Sequence, residues 1–124
     1  MTQPLGLLLC DDLIFSSRIT GTATAAGATM KVAKSLDSLL DFARQDVPRC
    51  VIIDLHNCDL DIARAMTVIG GLAPRPFVVG YGSHVDSATL NAARDAGCDI
   101  VLPRSKFTQE LETSLPMWLK GRVA

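Results

Sequence analysis

The chain has 124 residues, the size of one domain, and its 48% hydrophobic and 20% charged residues describe an ordinary globular composition. A net charge of −1 gives no electrostatic reason to expect nucleic acid or a membrane surface as a partner. No apolar run approaches the roughly 20 residues of a membrane span, and the opening MTQPLGLLLCDD has no basic region of a signal peptide, so a cytoplasmic location is expected.

Leu5 to Cys10 is a continuous apolar run that stops at Asp11 and Asp12, as a strand buried on both faces would. Leu13 to Ala26 follows as a helix on the spacing of Ile14, Ile19, Ala23 and Ala26, although its threonines weaken it. Thr29 to Ala33 is a brief strand. Ser35 then caps a helix over Leu36 to Gln45, with Leu36, Leu39, Leu40 and Ala43 on one face. After Pro48, Cys50 to Leu55 is the clearest strand in the chain, and a short helix from Leu60 to Ile69 stops at Gly70-Gly71. Its inward residues are Ile62, Met66 and Ile69. Pro76 to Gly80 reads as the fourth strand, Asp86 to Ala96 as a helix stopped by Gly97, and Ile100 to Leu102 as a short fifth strand. The last helix runs from Phe107 through Leu111, Leu115 and Trp118, with Pro116 expected to kink or end it.

Five strand–helix alternations without a break predict one doubly wound α/β domain over residues 1–124, with no output domain. Its parallel sheet, in the order 2-1-3-4-5, makes a flavodoxin-like three-layer sandwich. Ligands of such sheets bind beyond the carboxyl ends of the strands, at the point where the strand order reverses. Asp11, Asp12 and Asp54 would meet there, and a hard divalent cation such as Mg²⁺ suits converging carboxylates. The plainer alternative is that such aspartates cap the following helices, Asp12 above all.

Cys10, Cys50, Cys58 and Cys98 show neither zinc-ribbon spacing nor a disulfide framework, and are expected to be reduced. His56 and Cys58 beside Asp54 and Asp59 could take zinc, but a polar loop is the simpler reading. Gly80-Tyr81-Gly82 could form an anion nest after a strand. No dinucleotide or Walker-type glycine motif is present, and Asp-Leu-His at Asp54 lacks the second aspartate of haloacid-dehalogenase-type chemistry. Met117 and Trp118 could anchor a partner or close the edge of the core.

LLLCDDLIFSSRI, VIIDLHNCDLD and GCDIVLPR together resemble the receiver domains of bacterial two-component response regulators. The resemblance spans almost the whole chain. It implies a signalling module rather than an enzyme, with Asp54 as phosphoacceptor and Mg²⁺ held by Asp11, Asp12, Asp54 and the backbone carbonyl of His56. Its implied partners are a histidine kinase or phosphotransfer protein and a downstream protein on the face of the fourth helix, fifth strand and fifth helix. Homodimerisation stays open. A non-phosphorylated scaffold with the same fold is the alternative.

The chain departs from the family where the family responds to phosphate. Tyr81 stands at the switch position of a serine or threonine, and its ring is expected to pack over the acidic pocket. Ser83 is a poorly placed substitute hydroxyl. Arg104 replaces the family's lysine as phosphoryl contact, and Ser105 replaces the proline after it. Cys58 and Ile62 replace a proline and a glycine in the loop after Asp54.

Overall fold

A computed structural model describes residues 3–58 and 60–121. The elements alternate as β1 (Leu5–Leu9), α1 (Leu13–Ala25), β2 (Thr29–Ala33), α2 (Leu36–Gln45), β3 (Cys50–Asp54), α3 (Ile62–Gly70), β4 (Phe77–Gly82), α4 (Ser87–Asp95), β5 (Ile100–Pro103) and α5 (Arg104–Trp118). The five strands form one parallel sheet in the order β2-β1-β3-β4-β5, as expected. Among the described residues no helix is long and apolar enough to cross a membrane.

Strand side chains alternate between the two faces, and the sequence fills both. Leu7, Leu9, Val51, Ile53 and Val78 pack with Leu36, Leu40, Met66, Ile69, Leu90 and Ala93 of α2, α3 and α4. Leu8, Ile52, Val79 and Tyr81 pack with Ile19 and Ala23 of α1 and with Phe107, Leu111, Leu115 and Trp118 of α5. Asp54 has the parity of Cys50 and Ile52, so it belongs to the α1/α5 face, as does its register partner Tyr81.

Side-chain caps start four of the helices. Asp12, Ser35, Asp61 and Asp86 accept the amides of Phe15, Ser38, Arg64 and Thr89, each satisfying one of the first-turn donors that a helix leaves open.

Several boundaries differ from the sequence reading. β4 continues two residues past Gly80, because its glycines serve close approach rather than a turn. A Cβ on Gly80 would lie 3.1 Å from the Leu55 side chain, and one on Gly82 would lie 3.1 Å from His56 Nε2. Neither glycine has a positive φ, so Gly80-Tyr81-Gly82 is strand and not an anion nest. Helix α5 begins at Arg104, three residues before Phe107, directly after Pro103. Pro116 lies inside it without ending it; the carbonyl it cannot serve belongs to exposed Glu112, and past it Leu119 N–H still donates to Leu115 O at 3.0 Å. In α1 the inward aromatic is Phe15, whereas Ile14 is 85% exposed and Ala26 lies outside the core.

Candidate functional site

The site lies beyond the carboxyl ends of β1, β3, β4 and β5. A cavity of about 390 Å³ opens there, lined by Asp54, His56, Tyr81, Gly82, Ser83, His84, Arg104 and Ser105. Asp54 closes β3 beside β1, at the reversal of the strand order, where open α/β sheets bind ligands. Its carboxylate is half-buried, and Oδ1 accepts the His56 amide at 2.9 Å.

Asp11 and Asp12 are exposed in the β1–α1 connection, outside the cavity lining. Asp12 is committed to α1: Oδ1 accepts the Phe15 amide at 3.0 Å, while Oδ2 lies 3.5 Å from Arg104 Nη2. The Phe15 amide, helped by the Arg104 guanidinium, holds this carboxyl below its ordinary range. Arg104 in turn lies with Cζ 4.2 Å from the centre of the Phe15 ring, a cation–π contact that fixes its charge above α1.

The resemblance implies Mg²⁺, and the donors test that implication. Among the described residues no group of three or more His, Cys, Asp or Glu side chains is placed to hold a metal ion. One oxygen of Asp12 serves the helix and the other faces a cation. Mg²⁺ takes one or two carboxylates and keeps several waters, so Asp11, Asp12, Asp54 and the His56 carbonyl are the groups that would hold it, with Arg104 Nη2 3.5 Å from Asp12 Oδ2. For zinc, His56, Cys58 and Asp54 form no group of three, and Asp59 lies outside the described residues.

Tyr81 does stand opposite Asp54 in the β3–β4 register. Its ring, however, does not cover the pocket; it points into the core. Tyr81 is 1% exposed, stacked on Phe107 at 4.6 Å between ring centres and tilted against Phe15 at 5.3 Å. Burial, with the Cys10 thiol beside it, pushes its phenol far above the ordinary range. The hydroxyl finds no well-aligned hydrogen-bond partner among the described residues, and the Cys10 thiol is directed to the Asp12 carbonyl at 3.6 Å. The expectation of a ring over the pocket rests on the switch position; the aromatic neighbours on α1 and α5 draw it inward instead. Trp118 continues the stack at 5.7 Å from Phe107 and is 1% exposed, so it is a core residue and not a partner anchor.

Ser83 lines the cavity, but its nearest role is through the backbone: its amide donates to His56 Nε2 at 2.9 Å. The sequence reading gives the imidazole of His56 only a possible zinc role and its carbonyl a place at Mg²⁺; neither anticipates the contacts the ring makes here. It bridges the loops after β3 and β4, with Nδ1 4.0 Å from Asp86 Oδ2. The available signal was Gly82, a strand glycine that leaves room for a ring. All four cysteines are free, with Cys58 exposed.

No protein-family model matches the chain, and no curated protein matches its sequence. Solved structures do. A signal receiver domain from Vibrio parahaemolyticus is 17% identical, with a TM-score of 0.80 over 96% of this chain and 92% of that one. The receiver domain of NtrX from Brucella abortus is 19% identical, with a TM-score of 0.78 over 95% and 99%. A signal receiver domain from Mycobacterium tuberculosis is 15% identical, with a TM-score of 0.79 over 98% and 100%.

The chain has the receiver fold. It spans 28% of a longer NtrX chain and nearly all of the isolated receiver domains. Within the receiver fold, Asp54 and Arg104 share one cavity, and Asp12 meets Arg104 at its edge.

Proposed function

We propose that the chain is a receiver-type signalling module that accepts a phosphoryl group on Asp54 and acts through protein contacts. The observation that carries this reading is Asp54 itself, a half-buried carboxylate at the strand-order reversal, in one cavity with a guanidinium. In the transfer, a carboxylate oxygen of Asp54 attacks phosphorus. The bond from phosphorus to the donor breaks, and its electron pair leaves with the imidazole nitrogen of a phosphohistidine on a kinase or phosphotransfer protein, or with acetate when acetyl phosphate is the donor. The His56 amide holds one oxygen of the nucleophile in place, and Arg104 offsets charge on the phosphoryl oxygens. The product is a carrier of phosphate, and the face of α4, β5 and α5 is the proposed contact for a downstream partner.

Incubation with acetyl phosphate, followed by peptide mass mapping, tests this. One phosphoryl group on the peptide containing Asp54, absent from the Asp54→Asn variant, is the expected result. A folded chain that stays unlabelled would favour the second reading, a scaffold with the receiver fold that is never phosphorylated. The inward Tyr81 ring is the observation on that side, since it offers the pocket no hydroxyl.

A further inference from the structure

The geometry points to His56 as the residue that couples Asp54 to helix α4, in place of a hydroxyl at position 81. This inference takes its meaning from Asp54 as the occupied residue, but its test does not require phosphorylation.

The connection runs through two hydrogen bonds and one approach of 4.0 Å. Asp54 Oδ1 accepts the His56 amide at 2.9 Å, so a change at the carboxylate acts on the His56 backbone. The His56 ring then accepts the Ser83 amide on Nε2 at 2.9 Å, which fixes the start of the β4–α4 segment. Acceptance at Nε2 leaves Nδ1 as the protonated nitrogen of the neutral ring, and Nδ1 faces Asp86 Oδ2 at 4.0 Å. Asp86 is the cap of α4, accepting the Thr89 amide at 3.1 Å and the Thr89 hydroxyl at 2.7 Å. The ring rests against Gly82, where any Cβ would come within 3.1 Å of Nε2 and 3.2 Å of Leu90 on α4. One side chain therefore touches the loop after the acceptor strand, the end of the next strand and the cap of the next helix. The other route from the pocket, through Tyr81, starts from a ring held by Phe15 and Phe107 in the core.

A double-mutant cycle read by amide chemical shifts tests the coupling. Asp54→Ala in the otherwise unchanged chain removes the acceptor of the His56 amide and should shift the Ser83 and Thr89 amides. In a His56→Ala background the same Asp54 substitution should lose most of its effect on Ser83 and Thr89, because the partner shared by the two sites is gone. His56→Gln, whose amide oxygen can still accept the Ser83 N–H, should restore part of the response. Should His56→Ala fold poorly, the comparison rests on His56→Gln against His56→Leu. Equal responses with and without the imidazole would overturn the inference. So would a response in the native background that stops at His56, or one that instead reaches α5 through Phe107. Labelling of Asp54 is a separate readout, so a chain that shows this coupling yet takes no phosphate would lose the phosphoacceptor reading alone.

Discussion

Arg104 is the residue on which the chemistry of the pocket turns. It is half exposed, and its position comes from two contacts, the Phe15 ring below it and the Asp12 carboxylate beside it. An exposed ion pair of this kind is screened and weak, so its effect is on where charge sits rather than on stability. The guanidinium offsets part of the charge of the three carboxylates and competes with added Mg²⁺ at Asp12. Arg104→Gln removes that cation and leaves Asp12 and Asp54 to attract a hard divalent ion. The melting temperature of Arg104→Gln should therefore rise more in Mg²⁺ at ~20 mM, a concentration suited to a site of one or two carboxylates, than that of the unchanged chain. Equal shifts in both proteins would show that the guanidinium does not hold the place of a metal. The acids were legible in the sequence because the Asp11-Asp12 pair and Asp54 each close an apolar run, which places them at the carboxyl ends of buried strands. The cap that Asp12 makes on α1 was legible too, as the plainer alternative, whereas its second oxygen facing Arg104 was not, because that contact joins the starts of α1 and α5.

Among the elements, α5 shows how a local signal can mislead. Pro103, Arg104, Ser105 and Lys106 look like loop, yet they form the entry and first turn of a helix, because proline suits a helix start and its missing N–H costs nothing there. By contrast α2 matches its sequence reading residue for residue, from the Ser35 cap to the inward Leu36, Leu39, Leu40 and Ala43. Its cap, period and stop all agree. What joins α5 to α1 and β4 is the stack of Phe15, Tyr81, Phe107 and Trp118, and no single-segment periodicity reveals a contact among three elements. The stack makes a clear prediction for Tyr81. Tyr81→Phe removes a buried hydroxyl without a good partner and should leave stability unchanged or raised, because such a group contributes a desolvation penalty and little else. Tyr81→Thr should lose about 3 kcal/mol or more, in line with large-to-small changes of buried aromatic residues. Thermal or denaturant unfolding of the two variants checks both. A marked loss in Tyr81→Phe would mean that the hydroxyl is held after all.

For the whole molecule, the order β2-β1-β3-β4-β5 accounts for the position of the site, and strand parity accounts for its asymmetry. Asp54 and Tyr81 share a face, but one stands at the rim and the other is sealed under α1 and α5. The path out of the pocket accordingly lies on the α4 side, through His56, Ser83 and Asp86. Signals of this kind are population shifts, and they need an element whose two states the ligand binds unequally. Helix α4 is the candidate, a short helix of nine residues with two buried side chains, Leu90 and Ala93, to hold it. The most direct measurement is hydrogen exchange of the chain before and after treatment with acetyl phosphate. Coupling through His56 should alter exchange over the β4–α4 loop and α4, from Ser83 to Asp95, with Phe107 to Trp118 of α5 unchanged and no response in Asp54→Asn. Exchange that is identical before and after treatment, or that changes along α5 and not α4, would contradict it.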